Sequence, residues 1–591
     1  MNIKKEYKIA LIIALASFHG MYAQKDDENI GTEVINVVKP YTPTISDAFK
    51  VKETPVIEDE ENTEKENIEY NIFSFPVAST FTPAKGKAAG VERAKREKLF
   101  NNYALLGVGN YGTVNAELFI TENLDRNSYV GGMLRHLSSQ GGIDDVALDD
   151  KYYTTGLDLT YGSRQRSYSW NADLGYQNQA YNWYGLPISI VNFTDEQISG
   201  IDEQQTYHTI NAGGNILMKD DGIFEGASLQ FKRFWDAFDA AENRFIAKPS
   251  FDVSVLSEKI KLDFIFDYVG GEFDNNQYVG ATDNTALDYN YFNAGFQPSI
   301  LFQRDEFSVN IGAGLFYSMG KLMGESDNKF YIYPQVKASY KVVGDLMVAY
   351  AGAEGTLQQN SYEQFVGQNP FVGSSLIVAP TDQQYDIYVG LKGKLADNVA
   401  YNVRGSYMNE DNRAFIRHNN SLIDFDSADG KGYDYGNSFN ILYDKLRTIS
   451  FFGELKADFS EKVSAGISGS YFSYDTDLQE AWNLPEMKFS ANFDVDITEK
   501  WYAGANLFFV GERKDYVATS YDADIDFPSA PLIVTLDSYF DINANVGYKY
   551  NERLSGFLRL NNIANQDYQR WVNYPVQGFQ FMLGATYKFN L

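Results

Sequence analysis

The stretch from Gly578 to Leu591 reads G-F-Q-F-M-L-G-A-T-Y-K-F-N-L and restricts the fold more than any other part of the chain. Its odd positions are Phe579, Phe581, Leu583, Ala585, Tyr587, Phe589 and Leu591, and its even positions are Gln580, Met582, Gly584, Thr586, Lys588 and Asn590. Side chains alternate faces along a strand, so one face is wholly apolar and the other mostly small or polar. Strands of soluble domains average about 5–6 residues. A longer strand running to the chain terminus suits an outer-membrane barrel, where about 9–11 tilted residues cross the lipid and the final strand closes the sheet. The apolar row Phe579, Phe581, Leu583, Tyr587, Phe589 and Leu591 is the expected assembly signal, placed against the bilayer and handled by the barrel-assembly machinery.

The same alternation recurs from about Asn101 onward. Even positions are apolar in Ile260-Leu262-Phe264-Phe266-Tyr268 and in Phe540-Ile542-Ala544-Val546-Tyr548, odd ones in Val399-Tyr401-Val403 and in Ile449-Phe451-Gly453-Leu455. Polar residues such as Lys261, Asp263, Asn402, Arg404, Glu454 and Asp541 fill the gaps. Tight polar connections fall near Asp125, Gln165, Asp220–Gly222, Glu258, Asp305, Gly344–Asp345, Asp397–Asn398, Glu461, Glu499 and Asn551–Glu552. Connections of very different length alternate with them, the long ones at 185–205, 275–287, 361–381, 420–447 and 517–532. Short turns on one side and long loops on the other are the asymmetry of periplasmic turns and extracellular loops. About ten tight turns with both termini inside predict about 22 strands, an even count as closure requires. The alternating run Phe439–Asp444 is assigned to a loop to keep that parity. The expected fold is therefore all-β: a transmembrane antiparallel up-and-down barrel over 101–591. A soluble propeller or sandwich would show shorter strands at regular spacing, often with a repeat, and no fixed period occurs here.

Charge and composition narrow the partners. Aromatics make up 15% of the 591 residues, with 43 Tyr and 42 Phe against 6 Trp, which suits aromatic girdles at two membrane interfaces. A mean hydropathy of −0.35 and the lack of a long apolar run past the N-terminus argue against spanning helices. The net charge of −29 argues against nucleic acid, whose phosphates need a basic face. With no cysteine in the chain, disulfides, thiolate metal sites and lipid attachment through cysteine are excluded.

Residues 1–23 read as a signal peptide: Lys4, Lys5 and Lys8 precede the apolar run Ile9–Phe18, and Tyr22-Ala23 offers a cleavage site. Residues 24–100 form a short, largely irregular periplasmic segment, partly disordered. It holds one short extended stretch within Thr32–Ser46, where Pro40 and Pro43 limit regular pairing, an acidic linker, Ile57–Asn67, and a basic run with Lys85, Lys87, Arg93, Lys95, Arg96 and Lys98. That basic run leads into the first strand or forms a small insert in an acidic lumen.

The C-terminal region resembles TonB-dependent outer-membrane receptors. In Leu558–Tyr568, the residues Asn562, Ile563, Asn565 and Tyr568 match that family's penultimate-strand motif N-[LI]-x-N-x-x-Y. Tyr574-Pro575 and Gly578 resemble its Y-P-x-x-G approach to the final strand. The resemblance implies an envelope barrel that takes up large or scarce solutes using an inner-membrane energy-coupling protein. Two departures matter. Residues 24–100 are too short for the family's complete globular plug, and Glu33-Val-Ile-Asn-Val-Val38 is a poor counterpart of its coupling box, since short Val- and Ile-rich runs arise easily by chance. Energised uptake and an energy-coupling partner are thus doubtful. The final residue is Leu591 rather than an aromatic.

No catalytic, cofactor or metal site is expected. His136, His208 and His418 lie far apart, and Arg135-His136-Leu137-Ser138 is the one local Ser–His pairing, without a nucleophile motif. Asp522-x-Asp524-x-Asp526 and Asp424-x-Asp426-x-x-Asp429 bring carboxylates together but lack a calcium loop's spacing, and read as solvated loops. Two functions remain: a solute conduit or receptor, and a platform that binds a periplasmic partner through residues 24–70, where Val34–Val38 would add as a strand to a sheet edge.

Overall fold

The computed structural model describes residues 98–255, 258–274, 286–420, 431–517 and 532–591. The signal peptide, almost all of the 24–100 segment and both acidic loop motifs lie outside the described residues. The rest forms a 22-stranded antiparallel sheet closed on itself. Its first strand, Asn102–Gly109, pairs on one side with Val114–Asn123 and on the other with the last, Gln580–Phe589. The closing register runs from Asn102 opposite Phe589 to Gly109 opposite Met582. Closure leaves no strand edge unpaired, the condition for a sheet in lipid.

The alternation read from the sequence is the alternation of the wall. Leu106, Val108, Phe581, Leu583 and Tyr587 are exposed outward, while Leu105 and Met582 on the opposite face are buried. The same holds around the ring, with Ile332, Phe330, Val389, Phe451 and Phe493 all exposed. Such a continuous apolar exterior is stable only in a hydrocarbon medium.

Each tight polar connection is a turn between neighbouring strands. Arg304 pairs with Phe307, leaving Asp305 and Glu306 as the turn, and Asp305 takes φ 42°. Ala396 pairs with Val399 around Asp397-Asn398. A two-residue hairpin needs positive φ to match strand twist, which Asp and Asn tolerate better than most residues.

Phe439–Asp444 is not a loop segment. It is the outer part of one strand, Ser438–Ser460, and pairs with Arg413–His418 of the strand Val399–Asn419. These strands have 23 and 21 residues, well beyond what lipid requires, so the hairpin continues its ladder outside the membrane. A register shift between Glu410 and Arg413, with Asn412 at φ 55°, marks the bend. The strand count is unaffected, because the run belongs to a strand already counted. The long loops also hold structure of their own: α1 (Asp195–Gly200), α2 (Tyr362–Gln368) and a small hairpin of Arg513–Val517 with Leu532–Leu536.

Candidate functional site: the outer mouth of the barrel

Most large buried side chains gather at the end of the barrel that carries the long loops, in a core drawn from loops and strand ends around the ring. The connection 359–380 is its centrepiece. Ser361 caps α2, its side chain accepting from the backbone N–H of Gln364, and Tyr362, Phe365 and Val366 are buried. The helix packs on lumen-facing side chains: the Tyr362 ring lies edge-on to Phe234 at 5.1 Å and to Phe273 at 5.0 Å.

Two buried carboxylates hold it there. Glu242 accepts from the Tyr289 hydroxyl at 2.6 Å, from the Tyr362 N–H at 2.6 Å and from the Glu363 N–H at 3.3 Å, so it satisfies the free amides of the helix start. Asp236 accepts from the Tyr362 hydroxyl at 2.8 Å, from the Ser374 hydroxyl at 2.5 Å and from the Gln205 amide at 3.1 Å. Lys232 reaches Glu363 at 2.8 Å, and the Tyr207 hydroxyl donates to the Pro370 carbonyl at 2.9 Å.

From the far side the other loops meet it. The Phe371 ring stacks on Tyr574 at 3.9 Å; Tyr184 stands edge-on to both, and Phe439 packs on Tyr574 at 5.8 Å. Beside them Trp183, Phe238 and Tyr433 form a triangle with centroids 5.1–5.3 Å apart. Residues from connections far apart on the ring thus join in one aromatic roof.

The lumen wall is polar. Arg135 pairs with Asp158 at 2.6 Å, Arg244 donates to both oxygens of Asp267 at 2.8 and 3.0 Å, and Arg404 pairs with Asp386. Against α2 lies a cavity of about 220 Å³ lined by Asp158, Gln177, Gln179, Lys232, Glu363 and neighbours, a space for a polar solute or water.

The C-terminal motif forms one side of this mouth. It lies just beyond the penultimate strand, Leu554–Asn561, rather than within it. Asn562 and Asn565 take φ 45° and 48°. The Asn562 amide donates to the carbonyls of Gln566 and Gln577, and its oxygen accepts from the Gln566 N–H. Asn565 accepts from the Phe579 N–H at 2.6 Å, and a Cβ on Gly578 would lie 2.6 Å from that same Asn565 oxygen. Tyr568 stacks on Tyr539 at 3.9 Å, the Pro575 carbonyl accepts from Tyr184, and Ile563 is exposed. The structure therefore joins these residues in one loop, whereas Phe579, Phe581, Leu583, Tyr587 and Leu591 face outward along the closing strand.

The histidines stay apart. His418 is buried under the loops, its ring nitrogens 2.9 Å from Asn420 Oδ1 and 3.0 Å from the Gly436 carbonyl. His208 faces outward against Tyr176 and Trp235. His136 lies 3.2 Å from Ser138, but its other ring nitrogen meets the Thr155 hydroxyl, not the carboxylate a triad would place there.

Sequence reasoning missed the roof and both loop helices. A signal existed at both helices: Thr194 with Gln197, and Ser361 with Gln364, are N-cap pairs of the S/T-x-x-Q type.

No protein-family model matches the sequence, and no curated protein matches it. Solved structures do. The ferripyoverdine receptor of the outer membrane of Pseudomonas aeruginosa, bound to ferripyoverdine, aligns with a TM-score of 0.60 at 13% identity over 84% of this chain and 73% of that one. The ferric-catecholate import receptor Fiu of E. coli K12, in its closed form, gives 0.58 at 11% identity over 84% and 83%. The FrpB iron transporter of Neisseria meningitidis gives 0.59 at 11% identity over 83% and 82%. The chain thus shares the barrel fold of these receptors and this transporter.

Proposed function

We propose that the protein is an outer-membrane solute receptor and conduit, a barrel of the TonB-dependent receptor type whose outer mouth is gated by its own loops. The observation that carries this reading is the roof. Residues 359–380 and the aromatic residues that meet them close the outer end of a barrel whose wall is lined with polar and charged groups. A solute arriving from outside must move that roof before it meets the wall. The neighbours' names, receptors and a transporter for iron or its chelates, support a receptor rather than an enzyme and favour iron chelates as solutes to try first.

The division into a signal peptide at 1–23, a periplasmic segment at 24–100 and a barrel at 101–591 belongs to the same proposal. So does the role of the last strand as the signal read by the assembly machinery. Deleting residues 24–70 from the exported protein tests the reading. A conduit keeps passing solute into proteoliposomes without that segment. Loss of co-purifying periplasmic protein with unchanged solute flux in both forms at zero would instead make the barrel a platform.

A further inference from the structure

The outward face of the barrel is apolar or aromatic nearly everywhere in its central band, and Arg233 departs from that pattern. It lies on the strand Phe224–Asp236, in register with Ile210 on one side and Asn243 on the other. Its side chain is exposed, within a surround of exposed Ile210, Phe231, Phe245 and Tyr268. Four other arginines of the wall are neutralised: Arg135, Arg244 and Arg404 meet carboxylates inside, and Arg447 meets Asp475 at 2.8 Å. Arg233 instead donates to the neutral Asn243 side chain at 3.1 Å and forms no ion pair among the described residues.

A cation facing lipid is costly unless it sits near an interface and finds an anion. The interface is marked next to it. Two positions toward the long-loop end of the strand, Trp235 stacks on His208 at 5.1 Å, and the Tyr176 hydroxyl lies 2.9 Å from the His208 ring. Such amphipathic rings belong at headgroup level. On the far side Gly270, opposite Asn243, leaves room for Tyr268. The Tyr268 hydroxyl lies 2.5 Å from where a Cβ on Gly270 would stand, which brings a further donor toward the same patch. A guanidinium with one hydrogen bond used, an amide and a phenol then converge at the depth of the outer-leaflet headgroups.

We propose that Arg233, with Asn243 and Tyr268, binds the phosphate of a phosphorylated glycolipid in the outer leaflet. The planar fork of arginine pairs with phosphate bidentately, and the Asn243 bond fixes its orientation. The exposed Phe231 and Phe245 below, with Ile210 beside, offer the acyl chains an apolar bed. The inference rests on the outer-membrane reading, not on solute passage.

The test uses the full-length protein in detergent micelles, titrated with bis-phosphorylated lipid A, with the same lipid after phosphatase treatment, and with inorganic phosphate. Bound lipid is counted by native mass spectrometry. The expected result is binding of the phosphorylated lipid, weakened roughly tenfold by Arg233→Gln, partly kept by Arg233→Lys and untouched by Arg447→Gln. Heat-modifiable migration on gels confirms that each variant is a folded barrel. Equal binding of the dephosphorylated lipid, unchanged binding by Arg233→Gln, or displacement of the lipid by millimolar inorganic phosphate each overturns the proposal. Cell fractionation that finds the protein outside the outer membrane would overturn the localisation instead, independently of the micelle titration.

Discussion

Asn562 shows how a single side chain can shape the mouth. Its backbone takes the left-handed conformation that Asn tolerates, and its amide ties the loop at Gln566 and Gln577. Asn562→Ala loses both the tolerated φ and the hydrogen bonds and should cost about 2–3 kcal/mol. Asn562→Gly restores the backbone but not the bonds, so its melting temperature should fall between wild type and Ala in a heat-modifiability series. A second residue-scale prediction concerns close approach in the wall. The Tyr502 ring lies over Gly547, where a Cβ would come within 2.0 Å of it. Gly547→Ala must push the ring aside, with an expected loss of about 1–3 kcal/mol by the same assay. The motif around Asn562 was legible in sequence through its resemblance to a family pattern, and the structure adds why Asn suits it: positive φ at Asn562 and Asn565. Its place beyond the strand was not legible, since the ladder ends where Asn562 turns left-handed while the neighbouring strand, Tyr539–Lys549, runs on.

At the scale of elements the gate is α2 and the carboxylates beneath it. Glu242 accepts from the first two amides of α2, so Glu242→Ala should speed hydrogen exchange of the 362–368 amides while the barrel keeps its heat-modifiable migration. Unchanged exchange in that variant would contradict the assignment. The helix escaped sequence reading because 7 residues cannot display a helical period, although Ser361 and Gln364 carry its N-cap signal. Phe439–Asp444 alternates as a strand does, and assigning it to a loop to keep the count even overlooks that membrane thickness sets a minimum strand length and no maximum.

For the whole molecule, closure of the sheet depends on the last strand meeting the first. Leu583 stands outward between Leu558 and Val108, and an arginine there would face hydrocarbon. Leu583→Arg should cost about 2–4 kcal/mol and reduce the folded, heat-modifiable fraction, whereas Gln580→Arg on the opposite face should be tolerated. The barrel was legible because alternation and polar turns are local patterns, and each tight turn named from sequence joins neighbouring strands. The aromatic roof was not. Trp183, Phe371, Tyr433 and Tyr574 are hundreds of positions apart at the extremes, and nothing local separates a buried loop aromatic from a girdle residue.

The central claim, a barrel closed from outside by its own loops, is tested most directly by single-channel conductance in planar bilayers. Full-length protein should be compared with Tyr574→Ala and with a variant in which residues 362–372 are replaced by a short Gly-Ser linker. The account predicts a silent wild type, flickering current from Tyr574→Ala and steady current from the linker variant. Steady large currents from the wild type would contradict it.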